Sequence, residues 1–403
     1  MRNILSTAEA LSESADVTLA FRHVAEPVSS AQFRVVEILP SESDGPVRDD
    51  VAARGLNPLS HFSYMRALHD FASRSAGAYD VVFEKGWRLS GYLCHAFAAY
   101  GVRSVLIEND ARVWNEPVRT PRAGLKFLAH STAQAVAGYC SRRSDAIAAE
   151  TEQLKSALVA ARRIEPERIT VVPLGVDHSI FHPRVRQEAR SELGLAADAT
   201  VMLYVGGMDQ YHNLSPLLEA LRNQAPANLE LHLVGDGEYR RRYEQLALGL
   251  PVKVVFHGQV SHRRVPLHIA AADVCLAPYH TSGFYKGEVA FSTLKIPEYM
   301  ACERPVISVP SGNIRALITD GVTGLLFNND VASWSEFLAR MPGRERLAGM
   351  GRLAGPAVAH LNWRATANKY LDLAMAIDRT GKVRGQDDIL GAGSGEHQNK
   401  ESA

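Results

Sequence analysis

The chain has few cysteines for its 403 residues, and they form no recognisable pattern. Cys94, Cys140, Cys275 and Cys302 lie far apart, and no two of them make a Cys-x-x-Cys pair. This spacing argues against a disulfide framework and against a cysteine-ligated metal, and it suits a reducing cytoplasm.

A surplus of either charge is also missing. Lysine plus arginine number 44, and aspartate plus glutamate number 44, so the basic excess typical of nucleic-acid-binding proteins is absent. No apolar run reaches the roughly 20 residues that a spanning helix needs, and the first residues lack a signal-peptide core. We therefore expect a soluble, cytoplasmic protein that binds no nucleic acid.

What the sequence does have is an alternation of apolar runs with helical patterns. Such alternation is typical of parallel sheets covered by helices, and the length favours two domains. The runs are DVTLAF (16–21), RVVEIL (34–39), DVVFEK (80–85), RSVLIEN (103–109), AIAAE (146–150), ITVVPLG (169–175), TVMLYVGG (200–207), LELHLVGDG (229–237), KVVFHG (253–258), VCLAPY (274–279), PVISVP (305–310) and GLLF (324–327). Each half is thus predicted to be a Rossmann-like α/β domain.

Proline and glycine cluster in PLGVDHSIFHPRV (173–185), which indicates the junction between the domains. We expect an N-terminal domain over 1–178, a C-terminal domain over 179–361, an amphipathic helix over 362–377 and a disordered polar tail over 378–403.

The N-terminal domain departs from the usual pattern. A Rossmann-like domain normally opens with a strand and a glycine-rich turn, but residues 3–13 already have a helical pattern. The domain is therefore predicted to lack its first strand. Either the start of the reading frame is misplaced, or the domain tolerates the loss.

Glycine-containing loops follow two strands of the second half. Gly206 and Gly207 open the loop GGMDQYHN (206–213), and Gly235 and Asp236 lie in the loop after the next strand. Glycines at such turns let backbone amides and a helix N-terminus approach a phosphate. They also serve tight turns without any ligand, and Asp236 can equally cap the following helix.

A third loop, GQVSHRR (258–264), can offer backbone groups, such as those of Val260, to the edge of a nucleobase. The side chains of His262, Arg263 and Arg264 can equally be solvated.

Glu298 lies in an apolar helix start, STLKIPEYMA (292–301), where an ionised carboxylate needs a partner. The two hydroxyls of a ribose would supply two donors, and Lys295 could reach phosphate oxygens. The alternative is an internal ion pair between Lys295 and Glu298 at i, i+3 spacing.

Several of these segments occur together, in order: YVGGMDQYHNLSPLLEAL, LVGDG, HGQVSHRRVPLHIAAADVCLAPY, LKIPEYMACERPVISVPSG and ALITDGVTGLLF. Together they resemble the C-terminal donor domain of family 4 glycosyltransferases, which have the GT-B fold. ITVVPLGVDHSIFHP resembles the inter-domain segment of that family, and the match covers roughly 140–377. DVVFEKGWRLSGYLCHAFAAYGVRSVLIENDARVWNEP (80–117) resembles the N-terminal domain of one of its subgroups.

The resemblance implies transfer of a sugar from a nucleotide-diphosphate donor to a glycan, lipid-linked or small-molecule acceptor. It implies retention at the anomeric carbon, no cofactor and no essential metal, and it implies that the helix over 362–377 returns to the N-terminal domain. Glu298 matches the second glutamate of the family's Glu-x7-Glu motif, which is expected to hold the ribose. The implied donor-binding residues are Gly206, Gly207, His212, Gly235, Asp236, Val260, Ser292, Thr293, Leu294, Lys295 and Glu298, and Lys295 is also implied in catalysis.

The chain departs from the family at several of these positions. The first glutamate of the motif falls at Ala290, with Glu288 two residues out of register. The arginine and lysine that usually clasp the diphosphate fall at Gly207 and His212. A neutral histidine contributes far less than a lysine, so Lys295, with help from Lys286, would have to compensate.

On the acceptor side, Glu108, Asn109 and Asp110 replace the histidine common in the family, and they are the candidate catalytic residues there. The segment RTPRAGLKFLAHSTAQAVAGYCSRR (119–143) sets basic residues around an apolar helix. It suggests a peripheral contact with the inner membrane surface, the alternative being an ordinary helix packed on the sheet.

Three functions remain open from the sequence. The first is a retaining glycosyltransferase of polysaccharide or glycoconjugate synthesis. The second is a non-catalytic GT-B protein that binds or scaffolds within a glycan assembly complex. The third is another GT-B enzyme, such as a nucleotide-sugar epimerase.

Overall fold

The protein is described here from a computed structural model that covers residues 2–22, 30–38, 58–86, 90–109, 121–281 and 288–377. The chain divides into two compact units. Unit 1 contains the described residues up to Pro173 together with those from Thr366 onward, and unit 2 is Leu174–Ala365.

Unit 1 contains short parallel strands connected by helices. Its strands are β1 Thr18–Phe21, β2 Arg34–Glu37, β3 Val81–Lys85, β4 Arg103–Glu108, β5 Ala146–Ala149 and β6 Ile169–Val171, and its helices are α1 Arg2–Leu11, α2 Pro58–Ser75, α3 Tyr92–Ala98, α4 Pro121–Ser141 and α5 Glu152–Arg162. Among the described residues β1 pairs with β2, whereas β3, β4, β5 and β6 form a separate sheet in that order.

Unit 2 contains one parallel sheet of six strands. The strands are β7 Thr200–Val205, β8 Leu229–Val234, β9 Lys253–Gly258, β10 Val274–Ala277, β11 Val306–Ser308 and β12 Gly324–Leu326. The helices are α6 Arg186–Leu193, α7 Ser215–Asn223, α8 Arg240–Ala247, α9 Val265–Ala271, α10 Lys295–Ala301, α11 Ile314–Leu317, α12 Val331–Ala339, α13 Arg344–Val358 and α14 Trp363–Ala376, the last of which continues into unit 1.

The strand order of unit 2 is β12-β11-β10-β7-β8-β9, which is the order of the Rossmann fold. Its direction of winding reverses between β7 and β10, and open α/β sheets bind ligands outside the carboxyl ends of the strands at such a reversal. β7 is buried on both faces, with Met202 and Leu203 almost fully covered, because helices pack on each side of the sheet. This is the central strand that positions the candidate site.

Within its described residues, unit 1 has no strand that joins the β1–β2 pair to the edge strand β3 of the other sheet. In unit 2 the central strand β7 occupies the corresponding place. The expected single Rossmann-like sheet is therefore divided into two pieces. Leu11 of α1 packs with Val105 and Ile107 of β4, and Tyr370 and Leu373 of α14 join the same cluster. The apolar faces of α1 and α14 thus cover the four-stranded sheet.

A buried carboxylate joins the beginnings of β7 and β10. Asp273 accepts hydrogen bonds from Arg190 at 2.7 Å, from Arg186 at 2.6 Å and from the backbone N–H of Val201 at 2.7 Å. A buried charge is tolerated only when it is paired and hydrogen-bonded in this way. The network fixes α6 against the sheet.

Three histidines form a second buried polar group. His232 of β8 bonds to Glu230 and to His257 of β9, each at 2.9 Å, and the His257 ring stands 4.7 Å from that of His268 on α9. Burial lowers the pKa of His232 and of His257, and it lowers that of His268 from 6.5 to about 4. The neutral forms are therefore the ones compatible with the fold.

We predict that acid weakens unit 2 through these histidines. Because the pKa of His268 is lower in the folded state, its contribution is complete above pH 6.5 and decreases as the pH falls towards 4. For His268 the loss amounts to about 2 kcal/mol between pH 8 and pH 5. Urea unfolding of His268→Leu at the two pH values should show a pH effect smaller by that amount. The exposed His360→Leu is the control, and an equal change in both variants would contradict the prediction.

Candidate functional site

The loops after β7 and β8 touch each other through glycine. Gly206 and Gly235 have φ values of 149° and 128°, which glycine adopts more readily than other residues. A β-carbon at residue 235 would lie 2.0 Å from the carbonyl oxygen of Gly206, and one at Gly237 would lie 2.3 Å from that of Met208. The contact between the loops therefore requires glycine at 235 and 237, whether or not a ligand is bound.

Lys295, the first residue of α10, extends to the corner formed by these two loops. Its Nζ donates to Tyr204 Oη at 3.2 Å, and it lies 4.5 Å from the centre of the Tyr204 ring and 5.6 Å from that of Tyr279. A β-carbon at Gly206 would be only 2.6 Å from the same Nζ. Tyr204 lies on β7 and Tyr279 follows β10, so the ammonium lies at the reversal of the sheet.

The surroundings of Lys295 change its protonation. The residue as a whole is partly exposed, but protein atoms surround its ammonium. This desolvation lowers the pKa of Lys295 from 10.5 to about 7, although the negative charges of Asp209 and Glu298 act to raise it. A nearby anion would raise the pKa again and make the lysine fully cationic.

Asp209 and His212 form a hydrogen-bonded pair beside Lys295. His212 Nδ1 lies 2.9 Å from Asp209 Oδ1, and the His212 ring is 5.2 Å from that of Tyr279. Burial and the charge of Lys295 lower the pKa of His212 in spite of the carboxylate. Burial raises the pKa of Asp209, but the bond to His212 and the neighbouring charges outweigh it, and the carboxyl pKa lies below its usual value. His212 is therefore mainly neutral at pH 7.

Glu298 makes no ion pair with Lys295 in the described structure. His262 Nε2 lies 3.7 Å from Glu298 Oε1, beyond hydrogen-bond distance. The buried Nε2 of His262 has no hydrogen-bond partner among the described atoms, and its ring packs on Phe181. The described residues thus contain no Lys295–Glu298 pair within ion-pair distance, although the charge of Glu298 acts on the pKa of Lys295.

Two of the residues before α10 accept hydrogen bonds from other groups of unit 2. Thr293 is buried and accepts a hydrogen bond from Tyr279, and Leu294 accepts one from the N–H of Glu298 at 3.1 Å. Ser292 and Leu294 are partly exposed. Val260 packs against the core of unit 2 while remaining partly exposed.

Asp236 shows the bonds of a turn, but it does not cap α8, whose N-cap residue is Tyr239 and which has no side-chain cap bond. Its Oδ1 accepts from the N–H of Gly237 at 2.8 Å, and its Oδ2 pairs with Arg240 of α8 at 3.2 Å. These contacts favour the structural interpretation of Asp236. Gly207 is exposed and brings no cation to the corner.

Glu288 does not replace the glutamate that is missing at Ala290. Its carboxylate accepts from Ser311, from the backbone of Gly312 and from Arg315, which lies 3.2 Å away. Ala290 is buried, and Lys286 lies outside the described residues. Glu288 thus stabilises the loop after β11.

The candidate acceptor-side residues lie in unit 1. Glu108 is 2% exposed and forms a buried ion pair with Arg162, which also bonds to Ser141. Asn109 is partly exposed, and Asp110 lies outside the described residues. The burial and pairing of Glu108 favour a structural role over direct contact with substrate.

The sequence analysis did not identify Tyr204, Tyr279 or Asp209 as site residues. Each of the tyrosines stands at the end of an apolar strand-like run, where any aromatic residue could serve the core. Only the strand order brings them together. In the described part of the chain, no group of three or more His, Cys, Asp or Glu side chains could hold a metal ion, and no helix is long and apolar enough to cross a bilayer.

Comparison with known proteins covers both units. The family described as Glycosyltransferase Family 4 matches residues 2–180, and the one described as Glycosyl transferases group 1 matches residues 199–341. A D-inositol 3-phosphate glycosyltransferase of Thermomonospora curvata is 30% identical over 87% of this chain and 82% of its own length. One of Xylanimonas cellulosilytica is 31% identical over 75% and 73%.

Solved structures show the same fold. Sucrose-phosphate synthase of Thermosynechococcus elongatus superposes with a TM-score of 0.71 at 20% identity, covering 92% of each chain. Anabaena HepE in complex with UDP-glucose superposes with a TM-score of 0.68 at 16% identity, covering 92% of this chain and 94% of its own. The chain has the GT-B fold and belongs to glycosyltransferase family 4.

Proposed function

We propose that this glycosyltransferase moves a sugar, with retention at the anomeric carbon, from a nucleotide-diphosphate donor to a glycan, lipid-linked or small-molecule acceptor in polysaccharide or glycoconjugate synthesis. The observation that carries the proposal is the ammonium of Lys295 at the reversal of the unit 2 sheet, against the glycine loop that begins at Gly206. Anabaena HepE, which has the same fold, was solved with UDP-glucose.

The proposed reaction needs a stabilised leaving group. The bond from the anomeric carbon to the phosphate oxygen breaks and its electron pair stays on the nucleoside diphosphate. The acceptor oxygen bonds to the same face of the anomeric carbon, and its hydroxyl proton passes to the departing phosphate oxygen. Lys295 and the amides at the start of α10 would stabilise the charge that develops on the diphosphate. With these groups present we expect no metal requirement.

Glu298 would hold the ribose of the donor. Its carboxylate is partly exposed and carries no hydrogen bond from Lys295, so it can accept from vicinal hydroxyls. His262, 3.7 Å away, could donate to the same carboxylate or to the sugar. The loop 258–264, which contains Val260, would contact the base.

A non-catalytic binding protein is the second candidate. It is favoured by one observation, the lack of two cations at the corner, since Gly207 has no side chain and the pKa of His212 is lowered. Such a protein would bind a nucleotide sugar without transferring it.

Turnover separates the two candidates. We predict that the chain, incubated with UDP-, GDP-, ADP-, dTDP- and CDP-sugars and an acceptor panel that includes D-inositol 3-phosphate, forms a glycosylated product and free nucleoside diphosphate. The inositol phosphate is included because curated relatives are named for it. Mass spectrometry of the product and NMR of its anomeric proton measure transfer and retention. Donor binding without any product would support the binding protein.

Substitution of Glu298 and Lys295 should have different effects. We predict that Glu298→Gln weakens nucleoside diphosphate binding about ten- to a hundredfold, because a charge-assisted hydrogen bond is lost. Lys295→Met should slow turnover more than it weakens binding, since the leaving diphosphate gains charge in the transition state. Isothermal titration and steady-state kinetics measure both. Glu244→Gln and Lys253→Met, elsewhere on unit 2, are the matched controls, and unchanged affinity in Glu298→Gln would refute the ribose role.

The proposal also includes a peripheral contact of α4 with the inner membrane surface. Phe127, Leu128 and Tyr139 are exposed to 43%, 62% and 45%, and the Arg143 guanidinium lies 3.6 Å from the centre of the Tyr139 ring. Arg142 is exposed at the same end. Apolar side chains flanked by cations suit an anionic lipid surface. Arg119 lies outside the described residues, as do the side chains of Arg122 and Lys126.

We predict that the chain sediments with vesicles containing anionic phosphatidylglycerol and less with phosphatidylcholine alone, and that salt weakens the binding. The double variant Phe127→Ser/Leu128→Ser should partition at least about tenfold more weakly, because two apolar side chains no longer enter the interface. Leu248→Ser, exposed to 71% on unit 2, is the control. Equal sedimentation of the double variant and the wild type would exclude this surface.

A further inference from the structure

We propose that Tyr204 and Tyr279 are positioning residues that hold the ammonium of Lys295 for the leaving diphosphate, in the space that Gly206 leaves empty. The inference rests on the proposed function, in which Lys295 faces the donor.

The hydrogen-bond directions around Tyr204 are fixed. Its hydroxyl donates its proton to the carbonyl oxygen of Gly207 at 2.5 Å, which leaves a lone pair free for the ammonium of Lys295 at 3.2 Å. The hydroxyl thus connects the backbone of the glycine loop to the lysine. Because Tyr204 is fully buried on β7, it holds the lysine at a fixed place relative to the sheet.

Tyr279 contacts the same ammonium from the other side of the sheet reversal. Its hydroxyl donates to Thr293, two residues before Lys295, so the ring is tied to the segment that carries the lysine. The ring centre lies 5.6 Å from Nζ, within the range of a cation–π interaction. One tyrosine comes from each strand at the reversal, so the ammonium is confined where a ligand of this sheet would bind.

Gly206 completes the arrangement. A β-carbon there would lie 2.6 Å from Nζ and 3.1 Å from Tyr204 Oη, so any other residue would displace the ammonium. The φ of 149° at Gly206 favours glycine by itself, and the absence of a side chain there leaves room for the ammonium. Gly206 and Lys295 belong to different motifs and are far apart in sequence, but they lie side by side in the structure.

The kind of partner matters for the chemistry. Among the described residues, no carboxylate lies within ion-pair distance of the Lys295 ammonium. Other buried cations do have such a partner, as in the pairs Arg190–Asp273 and Arg162–Glu108. A carboxylate would neutralise the lysine, whereas a hydroxyl and two ring faces hold it without cancelling its charge. A phosphate oxygen that approaches would therefore meet a lysine that no carboxylate already pairs with, and it would favour the cationic form of that lysine.

A double-mutant cycle tests this role. The probe is whichever of UDP, GDP, ADP, dTDP and CDP binds the wild type most tightly. We expect Tyr204→Phe, which keeps the ring, to weaken the binding of that probe about three- to tenfold, the loss of one hydrogen bond. It should lower kcat more than it raises the KM for the donor. In the Lys295→Met background the same substitution should leave affinity unchanged, because the group it positions is gone.

Tyr279→Leu provides a second, independent arm with the same expected coupling. Tyr370→Phe is the matched control, since Tyr370 is a buried tyrosine of unit 1 that packs in the cluster around β4. Any effect of the control should be equal in both backgrounds, and melting curves establish that each variant folds.

Two failures are distinguishable. If the wild type binds a nucleoside diphosphate and Lys295→Met weakens it, but both tyrosine variants act equally in the two backgrounds, the positioning role is overturned and the proposed function stands. If the wild type binds none of the probes and forms no product, the proposed function itself is overturned, and this inference with it.

Discussion

The close approach of two loop backbones is the constraint on which the candidate site depends. The space available at residue 235 is limited by the carbonyl of Gly206, which a β-carbon would approach to 2.0 Å. This contact brings the loop after β7 against the loop after β8 and fixes where the first of them can lie. The position of Gly206 then decides how much room Lys295 has. A backbone contact between two glycines thus determines the place of the main cation of the site.

The electrostatics of Lys295 follow from this confinement. A lysine whose pKa is lowered to about 7 by desolvation is unstable as a buried cation until an anion arrives. Binding of a diphosphate would favour the charged form, so the lysine would take up a proton and part of the binding free energy would offset the cost of that charge. The neighbouring His212, whose pKa is also lowered, cannot take over this role at neutral pH. Among the described residues Lys295 is therefore the cation at the corner, where the family resemblance implies additional cations.

The sequence is sufficient for the fold of unit 2 and for some residues of its candidate site. Alternating apolar runs predicted parallel sheets, and the predicted strand segments contain the strands of the structure, because strands buried on both faces must be apolar. Gly206, Lys295 and Glu298 were found from motifs. Tyr204 and Tyr279 were not, since nothing in a local pattern shows that two strand ends far apart in sequence are spatial neighbours. The Arg162 partner of Glu108 was missed for the same reason.

The described strands of unit 1 form two separate sheets, whereas those of unit 2 form one. In the Rossmann order a central strand joins the two halves of the sheet, and β7 fills that place in unit 2. In the described part of unit 1, β1 and β2 pair with each other while β3 to β6 form their own sheet, and α1 and α14 pack against β4. In unit 2 the sheet is continuous. There Tyr204 of β7 and Tyr279, which follows β10, both contact the ammonium of Lys295 at the start of α10.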